Sequence, residues 1–155
     1  MINYNRLNQN PQNAAFVNDI DGCTMQHPFH DWLRCFLDDR GQPFACIELT
    51  DGFRDGEMTL GFIQTLEKGR GHGSDALQLF LKIAKRHDMI IHLTADRVGT
   101  GGLTQAQLKS WYKRHGFTFP KNGRDGYIEL ISDEWKKETQ QIAGIKIVSI
   151  GGVTC

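Results

Sequence analysis

Residues 67–74, Glu-Lys-Gly-Arg-Gly-His-Gly-Ser, set three alternate glycines between an extended apolar run, residues 58–66, and an amphipathic stretch, residues 75–86. The run reads as a strand, the stretch as a helix, and the glycines as the loop that joins them. Such a loop gathers backbone N–H groups at the positive end of a helix dipole, and the missing β-carbons let an anionic group come close. It is the candidate phosphate cradle of this chain. A second signal, Trp111-Tyr112-Lys113-Arg114-His115-Gly116-Phe117, closes another helical stretch downstream.

The whole chain sets bounds on what these signals mean. At 155 residues it has the length of one ordinary domain, enough to bury roughly two thirds of the surface that an unfolded chain exposes. It reads as a single domain over 1–155, with 136–155 as a C-terminal extension of unassigned role. Lys plus Arg and Asp plus Glu both number 18, so no net positive field favours nucleic acid. Cys23, Cys35, Cys46 and Cys155 follow no CxxC pattern and read as reduced cytosolic thiols. The first residues lack a basic-then-apolar leader, and no apolar run reaches membrane-spanning length. The expectation is a soluble cytoplasmic protein without a membrane partner.

Along the chain, Phe29, Trp32, Leu33, Phe36 and Leu37 recur at helical spacing and predict a helix over 28–37, with Pro28 in its first turn. Residues 44–50 and 57–66 read as a hairpin around the turn 51–56. After the glycine loop, Ala76, Leu77, Leu79, Phe80, Ile83 and Ala84 form a helical stripe, and residues 89–95 a short interior strand. Thr104 is the expected N-cap of a helix that carries Leu108, Trp111 and Tyr112 and ends at Gly116. Residues 117–119 and 127–131 predict a closing hairpin. Residues 145–150 alternate like a strand, and the tail 138–155 either extends the sheet or joins a partner chain, a second copy included.

Three phosphate-loop chemistries compete. A P-loop needs GxxxxGK followed by Ser or Thr, which is absent here. A dinucleotide fingerprint fits better: Gly71-His72-Gly73-Ser74-Asp75-Ala76 matches GxGxxG/A, and Asp96 follows at a suitable distance. Against it, residues 67–70 separate the strand from Gly71, a hairpin precedes the motif, and little chain remains for a doubly wound sheet. The third depends on a resemblance. From residue 61 to 119 the chain resembles the GNAT N-acetyltransferases, whose signature is Gln or Arg followed by xxGxG/A after a strand, then a downstream Tyr-xxx-Gly-Phe. Lys68-Gly69-Arg70-Gly71-His72-Gly73 and Tyr112-Lys113-Arg114-His115-Gly116-Phe117 match in order and spacing, with Lys68 in place of the usual Gln or Arg. Residues 102–108 are also similar to small acetyltransferases carried by bacteriophages.

The resemblance implies an α/β fold with a mixed, mostly antiparallel sheet flanked by helices. Two neighbouring strands splay apart there to admit acetyl-CoA, which gives its acetyl group directly to a primary amine. Carried over residue by residue, it places the pyrophosphate on the amides of Gly69, Arg70, Gly71, His72, Gly73 and Ser74, beside Lys68. The pantetheine arm falls against Gly61, Phe62 and Ile63, with the Ile63 amide facing the thioester carbonyl. Tyr112 would protonate the departing thiolate, as a phenol can at neutral pH. Thr94 stands where some members carry a glutamate base, and Glu57 stands eleven residues before Lys68, where others carry it. Gln105 replaces a common Asn that touches the cofactor. The acceptor stays open among a protein lysine, an N-terminal amine and small-molecule amines. A noncatalytic acyl-CoA-binding or interaction module is the alternative from another class, followed by an NAD(P)-binding Rossmann-type domain.

The other residues read as structural. Cys23, His27 and His30 fall short of four ligands at metal-site spacing, so no metal is expected. His72 faces phosphate or solvent, His115 suits a helix C-terminus, and Cys46 with His92 lacks a third orienting group.

Overall fold

One long hairpin forms the middle of the sheet, residues 43–51 pairing antiparallel with residues 57–65. The computed structural model describes residues 11–30, 33–51, 54–67, 70–96 and 102–130. Its elements are α1 (Pro11–Cys23), β1 (Thr24–Gln26), β2 (Leu33–Leu37), β3 (Pro43–Asp51), β4 (Glu57–Thr65), α2 (His72–Arg86), β5 (Ile90–Thr94), α3 (Gln105–Arg114) and β6 (Asp125–Glu129). The six strands lie in sequence order, β1 to β6. Four of the five pairings are antiparallel, and only β4 with β5, joined through α2, is parallel. This is the expected mixed, mostly antiparallel sheet. With one parallel pair it is not a doubly wound dinucleotide-binding sheet.

Helix α2 forms where the stripe predicted it, starting at His72. Ala76, Leu77, Phe80, Ile83 and Ala84 are fully buried on one face, and each large side chain among them contributes about 1.5–3 kcal/mol. Asp88, at φ 53°, takes the left-handed conformation that ends the helix. Phe16, Val17 and Ile20 of α1 join the same core as Ile47, Leu49, Met58, Leu60, Ile91 and Leu93. Helices α1 and α2 therefore cover one sheet face. Asn13 fixes α1 to the hairpin turn by accepting the Gly56 N–H at 2.9 Å.

Two expectations change. The predicted helix over 28–37 does not form. Residues 33–37 are β2, paired from Leu33↔Glu48 to Leu37↔Pro43, and Phe29, counted on the helix's apolar face, is 85% exposed. The reason is the turn. Asp38 Oδ1 accepts the Arg40 and Gln42 amides at 2.8 and 2.9 Å, and Gly41 sits at φ 75°, so 38–42 reverses the chain into β3 instead of ending a helix. The second change concerns the cysteines: Cys23 is disulfide-bonded, not a free thiol, whereas Cys35 and Cys46 are free and buried. The closing hairpin shrinks to β6 and a single bridge, Thr118↔Tyr127. The strand expected at 145–150 lies outside the described residues. No described helix is long and apolar enough to cross a membrane.

Candidate functional site

The β4–β5 pairing stops just before a glycine. Strand β4 runs beside β5 for four pairs, Glu57↔Ile90 to Leu60↔Leu93, and among the described residues that ladder goes no further. On its other edge β4 stays paired with β3, but the register slips: Leu60 faces Leu49 and Phe62 faces Glu48, leaving Gly61 without an opposite residue. Gly61 is thus the extra residue of a β-bulge, which bends a strand and terminates pairing on its free side. It also inverts the alternation of side chains. Met58 and Leu60 point toward the helices before the bulge, Ile63 and Thr65 after it, so Glu57, Thr59, Phe62 and Gln64 share the opposite face. A β-carbon on Gly61 would crowd the Glu48 side chain, 2.9 Å from its Cδ and 3.1 Å from its Cβ.

Near the end of β4 stands the start of α2. Gly71, its N-cap, has φ 71° and no side chain caps the helix, so the first-turn amides lack the acceptor that a Ser or Asp cap would supply. Gly73 packs closely: a β-carbon there would meet Thr65 Cγ2 at 3.4 Å and Trp111 Cζ2 at 3.7 Å. Ser74 Oγ accepts the Trp111 indole N–H at 3.0 Å, tying the start of α2 to α3 and leaving the hydroxyl hydrogen to donate elsewhere. Arg70 is exposed and pairs with Glu67 at 3.0 Å, a surface contact weak enough to exchange for a better anion. His72 packs edge-on against Phe44, and its Nδ1 is buried without a partner among the described residues. Lys68 and Gly69 lie outside the described residues.

Helix α3 brings the second motif to the same place. Thr104 caps it, as the sequence predicts, and the structure adds a full capping box with Gln107. Gln105, expected at the cofactor, donates its side-chain amide to the Ala95 carbonyl at the end of β5. Thr94 donates its hydroxyl to Asp125 at 2.6 Å. Tyr112 is 5% exposed and stacks at an angle on Trp111 and Phe117. Burial pushes its phenol up to about 12, so it is a proton donor and not an anion at any physiological pH. The hydroxyl is not among the buried polar atoms that lack partners. Burial and the neighbouring Arg114 lower the His115 pKa.

The carboxylates separate by distance. Glu57 begins β4, mostly buried, with a carboxylate oxygen 3.6 Å from His92 Nε2 of β5. It precedes Gly61 by four residues, about 13 Å of extended chain. Glu48 was not singled out from the sequence, yet its side chain lies against Gly61 itself. The signal that would have found it is the hairpin register together with the bulge, neither of which the sequence prints.

No protein-family model matches the chain, and no curated protein sequence does. Solved structures similar to it include GNAT-family acetyltransferases. A GNAT-family acetyltransferase from Listeria monocytogenes is 17% identical, with 64% of this chain and 65% of that one covered and a TM-score of 0.48. The anti-CRISPR protein AcrVA5 is 18% identical over 55% of this chain and 87% of its own, at 0.44. AtaTR bound with acetyl-CoA is 15% identical over 72% and 73%, at 0.40.

Proposed function

We propose that this chain is an acetyl-CoA-dependent N-acetyltransferase that transfers the acetyl group directly to a primary amine. The observation that carries the reading is the end of the β4–β5 ladder at the Gly61 bulge, beside the uncapped start of α2. An opening with free main-chain groups along one wall and helix N-terminal amides at one end suits a ligand that is part peptide-like arm and part diphosphate. The amides of Gly71, His72, Gly73 and Ser74, with Gly69 and the cations of Lys68 and Arg70, take the pyrophosphate. The backbone of Gly61, Phe62 and Ile63 pairs with the arm, and the Ile63 amide stabilises charge on the thioester oxygen. Gln105 acts at one remove by fixing the end of β5.

In the transfer, the amine nitrogen bonds to the acetyl carbon as the C–S bond breaks. Tyr112 gives its proton to the leaving sulfur and is reprotonated by solvent. The amine's proton leaves on the face away from α1 and α2, where Glu48 flanks Gly61. Glu57, four residues before Gly61 on β4, serves through water, with His92 beside it.

The test is a thermal-shift panel with acetyl-CoA, CoA, NAD, NADP and ATP, followed by an assay of CoA release with an amine library. Stabilisation by the two CoA species and amine-dependent release are expected. Stabilisation without release identifies a noncatalytic acyl-CoA-binding module, and a response to NAD or NADP alone overturns the reading.

A further inference from the structure

The fold gathers metal-ligating side chains that the sequence left apart. Cys35 and Cys46 stand directly opposite each other on β2 and β3, with their Sγ atoms 2.7 Å apart. His27 joins them from the loop after β1: its N–H donates to the Leu33 carbonyl at 3.0 Å, extending the β1–β2 pairing by one step. One ligand atom from each of the three residues lies within 4.8 Å of the others. Both cysteines are 2% exposed and neither belongs to the main apolar core, so two soft donors are buried together with an imidazole at their edge.

We propose that His27, Cys35 and Cys46 form a binding site for a soft divalent cation, with zinc the best chemical match. Two thiolates and an imidazole select such an ion over magnesium or calcium, which require oxygen donors. The two thiolate charges cancel the charge of the ion, so the complex is neutral and its burial avoids the penalty for an isolated ion. With Zn–S bonds of about 2.3 Å at the tetrahedral angle, the two sulfurs stand about 3.8 Å apart. The present separation reaches that value when the two side chains move apart by about 1 Å; a disulfide would need them to close by about 0.7 Å, to about 2.05 Å, and both cysteines are free. His27 Nδ1 accepts the Phe29 amide at 3.1 Å. Ligation through Nδ1 exchanges that bond for the ion at little cost, because Phe29 is on the surface and water replaces the lost acceptor. The three side chains leave the fourth tetrahedral position to a water.

Binding converts two thiols to thiolates and releases two protons. It clamps the loop after β1 onto β2 and β3. Because Cys46 pairs with Gln64 of β4, the clamp braces the wall of the opening opposite β5. The site stands independently of the acetyl-transfer reading.

The experiment uses the full chain, stripped with a chelator under anaerobic reducing conditions and titrated with cobalt(II), then zinc. One equivalent of cobalt is expected to give thiolate-to-metal charge transfer in the near ultraviolet and the visible bands of a tetrahedral ion, both lost when one equivalent of zinc is added. Zinc alone raises the melting temperature. Cys46→Ala abolishes the charge-transfer band. His27→Ala, on a surface loop and folded by circular dichroism, loses the tetrahedral bands at one equivalent. Absence of the charge-transfer band in the unmodified chain overturns the proposal, as does its persistence in a Cys35→Ala/Cys46→Ala double variant. Peptide mapping that finds Cys35 joined to Cys46 in freshly alkylated protein also overturns it.

Discussion

Replacing Gly73 by alanine separates what this glycine does for the fold from what it does for the ligand. Its β-carbon would meet Thr65 at 3.4 Å and Trp111 at 3.7 Å, which is ordinary van der Waals contact, so the free protein accepts it. Within a helix, exchanging glycine for alanine stabilises by about 0.5–1 kcal/mol by lowering the entropy of the unfolded chain. In a protein of this size that raises the melting temperature by about 1–4 °C. The same methyl sits beside the first-turn amides that the proposed pyrophosphate has to approach closely. Acetyl-CoA affinity should therefore fall by about tenfold or more, equivalent to about 1.4 kcal/mol. Calorimetric melting and isothermal titration on the one variant read both quantities. A variant that is more stable but binds acetyl-CoA unchanged refutes the placement of the phosphate. Gly71→Ala gives the contrasting case: at φ 71° a side chain costs about 1–2 kcal/mol, and the melting temperature should fall.

Other outcomes follow from the same geometry. Tyr112→Phe should slow CoA release in the presence of an amine while leaving acetyl-CoA affinity intact. Because the phenol titrates at about 12, the acid form persists as pH rises and no alkaline limb due to Tyr112 should appear below about pH 11; a limb near pH 9 that vanishes in the variant contradicts this assignment. Glu48→Gln should lower kcat/KM by about 10²-fold or more, and more than Glu57→Gln does; steady-state kinetics showing the reverse order would move the base to Glu57. Burial alone would raise the Asp19 pKa, but the His87 hydrogen bond and charge, followed by those of Arg86, outweigh it and lower it from 3.8. Its stabilising contribution is present above its unfolded pKa and is lost as pH falls through the folded one. Urea unfolding across that acid range should show the decline, and Asp19→Asn should flatten it.

The central hairpin, α2, β5 and the Thr104 cap could be read from the sequence because each carries local instructions: apolar runs around a turn, an apolar stripe, an N-cap residue. The helix proposed at 28–37 failed because Leu33, Phe36 and Leu37 satisfy a strand as well as a helix over so short a span, and the Asp38 turn decides between them. The start of α1 was legible in principle, since Asn13, Phe16, Val17, Ile20 and Cys23 are its buried face, yet the polar residues before it hid the period. At the candidate site the glycines and Tyr112 announced themselves through motif spacing. Glu48 and the trio of His27, Cys35 and Cys46 did not, because strand register brings them together and no sequence spacing encodes it.

The central claim is that acetyl-CoA lies in the opening made at Gly61 and rests on the start of α2. Backbone amide NMR of uniformly labelled protein titrated with acetyl-CoA tests it directly. The account predicts saturable shifts largest at Gly61, Phe62, Ile63 and at Gly71 to Ser74, with β1 and β2 nearly still. Shifts confined to other strands, or no saturable change at millimolar acetyl-CoA, would contradict it.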